Sequence, residues 1–156
     1  MQKQTQMHFL EKSLEATHNL RTAFDNKASF LLAISGILFV LSVGKMDTAP
    51  FAIMAVFSLA SAIFCIFSIT LPVRSFSEQT KDSLFCYWGI KKMSYQEYTK
   101  QLKSRIKTDD DVIKQYTQEI YSLYHNSIRY KLLFIKLAGI YLLVGLLVLF
   151  ILIIFT

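Results

Sequence analysis

Two prolines, five glycines and two cysteines are all that this 156-residue chain contains of those residues, and three long stretches lack any charged side chain. Scarce proline and glycine remove the usual makers of tight turns, so long helices are the expected element. The cysteines, Cys65 and Cys86, are too few for a disulfide-stapled scaffold. No CxxC, HExxH, Walker or Rossmann spacing occurs, which removes the common metal and nucleotide-cofactor sites and leaves no catalytic constellation. The uncharged stretches are Ala28–Gly44, Thr48–Val73 and Leu137–Thr156. Each approaches or exceeds the ~20 residues that cross ~30 Å of hydrocarbon. A chain of this size has too little polar material to wrap three such helices in water, so they are read as membrane spans.

Charge is present, but it is segregated. Asp25 and Lys27 stand directly against the first apolar run, as a boundary between water and hydrocarbon requires. That run follows a segment containing Glu11, Glu15 and Asp25, unlike the short basic lead of a signal peptide, and is expected to be a retained span. Lys45–Pro50 separates the first two runs, which predicts a tight helical hairpin. Lys3, Lys12, Arg21 and Lys27 precede the first span and most other basic residues lie between Arg74 and Lys131, whereas the hairpin turn has only Lys45 and nothing basic follows Lys136. The positive-inside bias then places the N-terminus and central region in the cytoplasm and the C-terminus outside. The expected fold is an all-α integral membrane protein with three transmembrane spans, N-in and C-out. It comprises a cytoplasmic helix over 1–27, a transmembrane hairpin over 28–73, a basic helical cytoplasmic region over 74–131 and a third span over 132–156.

Local signals divide the polar parts. Met7, Leu10, Leu14 and Phe24 fall near one helical face, predicting a helix that runs into the first span. Pro72 ends the second span and Arg74 meets the headgroups. Residues 75–93 read as loop. Ser94 and Glu97 form a capping-box pattern, predicting a helix over about Tyr95–Arg105. Thr108 and the Asp109–Asp111 run start the next helix, favoured by the positive end of its dipole. With no proline beyond it and no glycine before Gly139, one continuous helix is expected from about Asp110 to Phe155. Ile113, Tyr116, Ile120, Leu123 and Ser127 give that helix a packing stripe, and Lys136 can snorkel towards the boundary near Lys131.

Two patterns have functional as well as structural readings. Ser58, Ser61, Cys65 and Ser68 share one face of the second span, and Ser35 and Ser42 lie seven apart on the first. Small residues let helices approach closely in lipid. Alternatively, Ser35, Ser42, Ser58, Ser61 and Ser68 line a water-filled path formed by several subunits, because hydroxyls can coat a pore of low ion selectivity. Phe85–Lys107 interleaves Phe85, Tyr87, Trp88, Tyr95 and Tyr98 with Lys91, Lys92, Lys100, Lys103, Arg105 and Lys107. Aromatic faces stack on bases and cations hold phosphates, while the same composition suits anionic lipid headgroups and the membrane interface. Candidate ligand contacts are Arg21, Lys27, Arg74, Trp88, Lys91, Lys92, Lys103, Arg105 and Arg129. Asp25 and Lys27 are the candidate coupling residues, with Asp25 expected to pair with a basic residue such as Arg74 or Arg129.

The order of several short motifs points to a family. Asp25, Lys27, Ala28, Ser29, Leu31, Leu32 and Gly36 spell D-x-K-A-S-x-L-L-x-x-x-G, followed by the Pro72–Arg74 span exit. Ser94, Glu97 and Tyr98 come next, and Gln118, Ile120, Tyr121, Leu123 and Lys131 lead into the last span. This series resembles the Pycsar-type transmembrane effectors of bacterial anti-phage systems across most of the chain. Phe85–Gly89 follows the family's aromatic-glycine stretch only loosely, and Arg129-Tyr-Lys131 blurs its lysine-aromatic pair.

The resemblance implies a non-enzymatic effector in the bacterial inner membrane, controlled by a nucleotide made by a partner nucleotidyltransferase or cyclase. In Pycsar a cyclic pyrimidine mononucleotide activates. In the similarly arranged Hailong system a short DNA oligomer holds the effector closed. A homo-oligomeric pore acting in abortive infection is the expected function, with no cofactor beyond the regulatory ligand. The alternative is a non-conducting membrane scaffold that recruits a cytoplasmic partner.

Overall fold

A computed structural model describes residues 2–70 and 93–155; Pro72, Arg74, the expected loop over 75–93, Cys86, Trp88, Lys91 and Lys92 lie at least in part outside them. The described residues are all-helical, with α1 Gln2–Val43, α2 Ala49–Thr70, α3 Tyr95–Arg105, α4 Asp109–Ser122 and α5 Arg129–Phe155, plus a π-helical turn at Leu123–Ile128. The chain forms two compact units, one of residues 1–21 and 73–128, the other of residues 22–72 and 129–156.

The second unit holds the apolar stretches. α2 has 22 residues and α5 has 27, about 33 and 40 Å at about 1.5 Å per residue. Stretches of α1, α2 and α5 are long and apolar enough to cross a membrane. Their outward faces remain apolar: Phe30, Ile37, Val40, Leu143, Leu147 and Phe150 are all exposed. So much contiguous exposed hydrocarbon identifies lipid as the surrounding solvent. Between α1 and α2 the chain turns through short backbone bonds, Lys45 N–H to the Ser42 carbonyl at 3.1 Å and Thr48 N–H to the Lys45 carbonyl at 3.2 Å. Pro50 falls in the first turn of α2, where its missing N–H breaks no intrahelical bond.

α2 and α5 are joined by aromatics. Phe64 lies 5.2 Å from Tyr141 and 6.4 Å from Phe134, Phe57 lies 6.1 Å from Tyr141, and Phe67 lies 6.0 Å from Phe134, centroid to centroid. Tilted and edge-on ring pairs add to plain apolar contact. Gly145 permits the closest approach: a Cβ there would stand 2.6 Å from the Phe57 Cβ. Gly36, by contrast, has nothing within 4 Å of its Cβ direction.

The first unit is built on water-facing helix starts. Ser94 caps α3, its hydroxyl accepting from the Glu97 N–H while the Glu97 carboxylate accepts from the Ser94 N–H at 2.9 Å. Thr108 and Asp111 repeat this at α4. The Ser94–Glu97 capping box, the Tyr95–Arg105 helix and the helix start at Thr108 match their sequence expectation, and the structure adds a second capping box at Thr108–Asp111. The chain is helical without a break from Asp109 to Phe155, as expected, but the helix loosens into a π turn at Leu123–Ile128 that the sequence reading did not anticipate. The burial pattern accounts for it, since Ser122 and Ser127, and likewise Leu123 and Ile128, are buried pairs five residues apart. Residues five apart diverge on an α-helix, and i→i+5 bonding brings them to one side. Of the expected packing stripe, Leu123 and Ser127 are buried and Ile113, Tyr116 and Ile120 half-buried, with Glu119 and Ser122 buried beside them.

A candidate gating site in the three-helix unit

The chemistry of the apolar unit is concentrated on its inner face. Lys131 of α5 is buried, its side chain only 2% exposed, and its ammonium donates to the carboxylate of Asp25 on α1, which is 36% exposed. The carbonyl of the same lysine accepts from the Ser68 hydroxyl of α2 at 3.3 Å. One residue of α5 therefore bonds both other helices. A buried ammonium is costly to desolvate and demands a counter-charge, so this pair fixes the rotation of α1 against α5. Asp25 does pair with a basic residue, but the partner is Lys131; Arg129, one of the two expected candidates, is exposed at the start of α5. Lys131 stood in the sequence only as a boundary and motif residue. Its spacing from Ala138, Leu142 and Gly145, all buried on one stripe, was the available signal.

Deeper in the unit, the Ser35 and Ser61 hydroxyls bond each other across α1 and α2 at 2.8 Å. Ser42, Ser58 and Ser68 are buried too, each no more than 3% exposed. All five expected pore-lining serines thus face the seam between this chain's own helices. The Ser58 hydroxyl is buried without a hydrogen-bond partner. Cys65, on the same face, is a free buried thiol.

The expected ligand contacts are divided between the two units. Arg21 on α1 is half-buried, Lys103 on α3 is exposed, and Arg105 ends α3 half-buried, all in the first unit. Lys27 and Arg129 are exposed in the second. The Lys27 ammonium stands 5.9 Å above the Phe24 ring of its own helix, so of the two coupling candidates only Asp25 enters the ion pair. In the first unit the cap carboxylates are held below their ordinary pKa, Glu97 chiefly by the Ser94 N–H and Asp111 chiefly by the Lys107 N–H. A groove of about 620 Å³ there is lined by Thr5, Gln6, Phe9, Leu10, Ile113 and Thr117, none of which is charged.

Residues 9–156 match the family described as the Pycsar effector protein domain. The chain belongs to that family. No curated protein and no solved structure matches it. Family membership over nearly the whole chain, together with three apolar helices, supports an anti-phage effector that acts in a membrane and answers to a partner cyclase's signal.

Proposed function

We propose that the protein is a non-enzymatic effector forming a homo-oligomeric pore or ion channel in the bacterial inner membrane, with its N-terminus in the cytoplasm. A nucleotide from a partner nucleotidyltransferase or cyclase sets its state, either a cyclic pyrimidine mononucleotide that opens it or a DNA oligomer that holds it closed. The observation supporting this reading is the buried Asp25–Lys131 pair in a chain of the Pycsar effector family. Intramembrane and membrane-edge charges are costly and are kept where they act. The Lys and Arg bias supports the orientation.

Coupling is short in this proposal. Arg21 lies one turn before Asp25 on the continuous helix α1, so the two share a helix face. A phosphate held by Arg21, with Lys103, Arg105 and the basic residues Arg74, Lys91 and Lys92, pulls on the helix that carries Asp25. Trp88 supplies a stacking face, and Lys27 and Arg129 supply positive charge at the headgroup level. A strained Asp25–Lys131 contact then changes the packing of α1 on α5.

The test is dye release from vesicles of phosphatidylethanolamine and phosphatidylglycerol carrying the purified full chain. Release without ligand is compared with release after adding cyclic pyrimidine mononucleotides or short DNA oligomers. Release switched on by a mononucleotide supports the activating form, and release suppressed by an oligomer supports the inhibited form. Inserted, helical protein that never leaks under any of these conditions refutes the pore and leaves a scaffold.

A further inference from the structure

We propose that the water route of this pore follows the serine face of α2, within the seam that α2 makes with α1 and α5, and that the unbonded Ser58 hydroxyl draws water into it. The inference rests on the pore reading above and locates its aqueous path.

The starting point is one unmet hydrogen bond. Ser58 is 0% exposed and its hydroxyl has no partner. A hydroxyl on a membrane helix has an easy remedy, because it can bond the carbonyl four residues back. Thr70 at the end of the same helix does so, donating to the Ile66 carbonyl at 2.8 Å. Thr17, Thr99 and Thr117 do likewise on α1, α3 and α4. Ser58 instead sits among the inward residues Met54, Ala55, Ser61 and Cys65, with neither remedy nor solvent. An unbonded hydroxyl in a dry interior is unfavourable, and water is the ligand of matching chemistry.

The rest of the face supplies what a water file needs. Ser61 hydrogen-bonds both the Ser35 hydroxyl and the Cys65 side chain of its own helix, so a short run of polar side chains already lies beside the unbonded Ser58. Ser68 lies ten residues beyond Ser58, about 15 Å along the helix at about 1.5 Å per residue, and bonds the Lys131 carbonyl. There the Asp25 carboxylate is partly open to solvent while the Lys131 ammonium is not, so the ion pair stands as a plug at the wet end of the seam. The opposite face of α2 presents Val56, Leu59 and Ile66 and offers water nothing. As packed here, the seam leaves Ser58, Ser61 and Ser68 fully buried. Parting α2 from its neighbours exposes the Ser58, Ser61 and Ser68 hydroxyls on one line, and Ser58 gains the bond it lacks.

The experiment uses the full chain with Cys65→Ser and Cys86→Ser, reconstituted in the vesicles described above. Single cysteines replace Ser58, Ser61 or Ser68 on the inner face and Val56, Leu59 or Ile66 on the outer. Their modification by a charged methanethiosulfonate reagent is timed under leaking conditions. Inner-face cysteines are expected to react at least tenfold faster than outer-face ones; equal rates, or faster outer-face reaction, in vesicles that leak overturn the route while leaving the pore intact. A second variant guards against misfolded cysteine mutants. Ser58→Ala removes the unmet hydroxyl, so leakage should fall several-fold with the protein still folded and inserted. Unchanged or increased leakage overturns the role assigned to Ser58. Vesicles that never leak refute the pore reading and the route together.

Discussion

The helix starts of the first unit and the helix seam of the second are held by interactions of opposite range. At the helix starts of the first, the polar bonds are local: Ser94 with Glu97 and Thr108 with Asp111, each three residues apart. In the second they span the chain: Ser35 with Ser61 at a separation of 26, Ser68 with Lys131 at 63, and Asp25 with Lys131 at 106. The spans also lack acidic first turns and basic last turns. Solvent explains the contrast. In water a helix start loses its backbone donors to competing solvent unless a cap holds them. In hydrocarbon the helix itself is obligatory, and what needs specifying is which faces meet.

That contrast is broken most severely at the ion pair. Asp25→Asn strands the ammonium of Lys131 where water cannot reach it, and a loss of about 3–5 kcal/mol is expected. Lys131→Met strands a carboxylate that solvent partly reaches, so its cost should be distinctly smaller although the same bond is lost. Unfolding of the two variants in detergent, followed by circular dichroism, measures the difference. Equal losses would show that burial does not set the asymmetry. The exchanged pair, Asp25→Lys with Lys131→Asp, should recover part of the loss.

Packing range comes next. Gly145→Ala drives a methyl into Phe57 and is expected to cost about 1–3 kcal/mol, the usual range for overpacking. Gly139 has nothing within 4 Å of its Cβ direction, so Gly139→Ala should change stability by no more than about 0.5 kcal/mol. The same unfolding assay compares them, and a harmless Gly145→Ala would contradict the close approach of α2 and α5.

Local interactions follow. Thr108→Ala removes a cap and is expected to cost about 1 kcal/mol, read as fraying of α4 by hydrogen exchange with the spans unaffected. Ser35→Ala should cost about 0.6 kcal/mol, the typical worth of an interhelical hydrogen bond in a membrane, and show itself in the spans instead.

The smallest effect is on pH. Glu97 and Asp111 have folded pKa values below those of the unfolded chain. Their contribution is therefore full above the ordinary carboxylate range, about pH 4, and is lost as pH falls through the depressed values. Acid should fray the first turns of α3 and α4 before the spans, and the amide signals of Glu97 and Asp111 should report it.

The legible features were those whose cause lies within a few residues or in composition. Three uncharged runs dictated three helices of spanning length, because burying a charge in hydrocarbon costs more than any local preference can offset. Ser94 and Thr108 announced their helices, because a cap and its partner are three residues apart. The motif order from Asp25 to Lys131 announced the family. Tertiary structure alone decided that Asp25 faces Lys131 rather than Arg129, that Gly145 and not Gly36 marks the close helix contact, and that α4 gives way to a π turn at Leu123. It also turned the serine face of α2 onto the chain's own helices. Each of these depends on how one helix is rotated against another. An apolar run with hydrocarbon on most sides leaves that rotation open until the helices pack and the buried charge finds its partner.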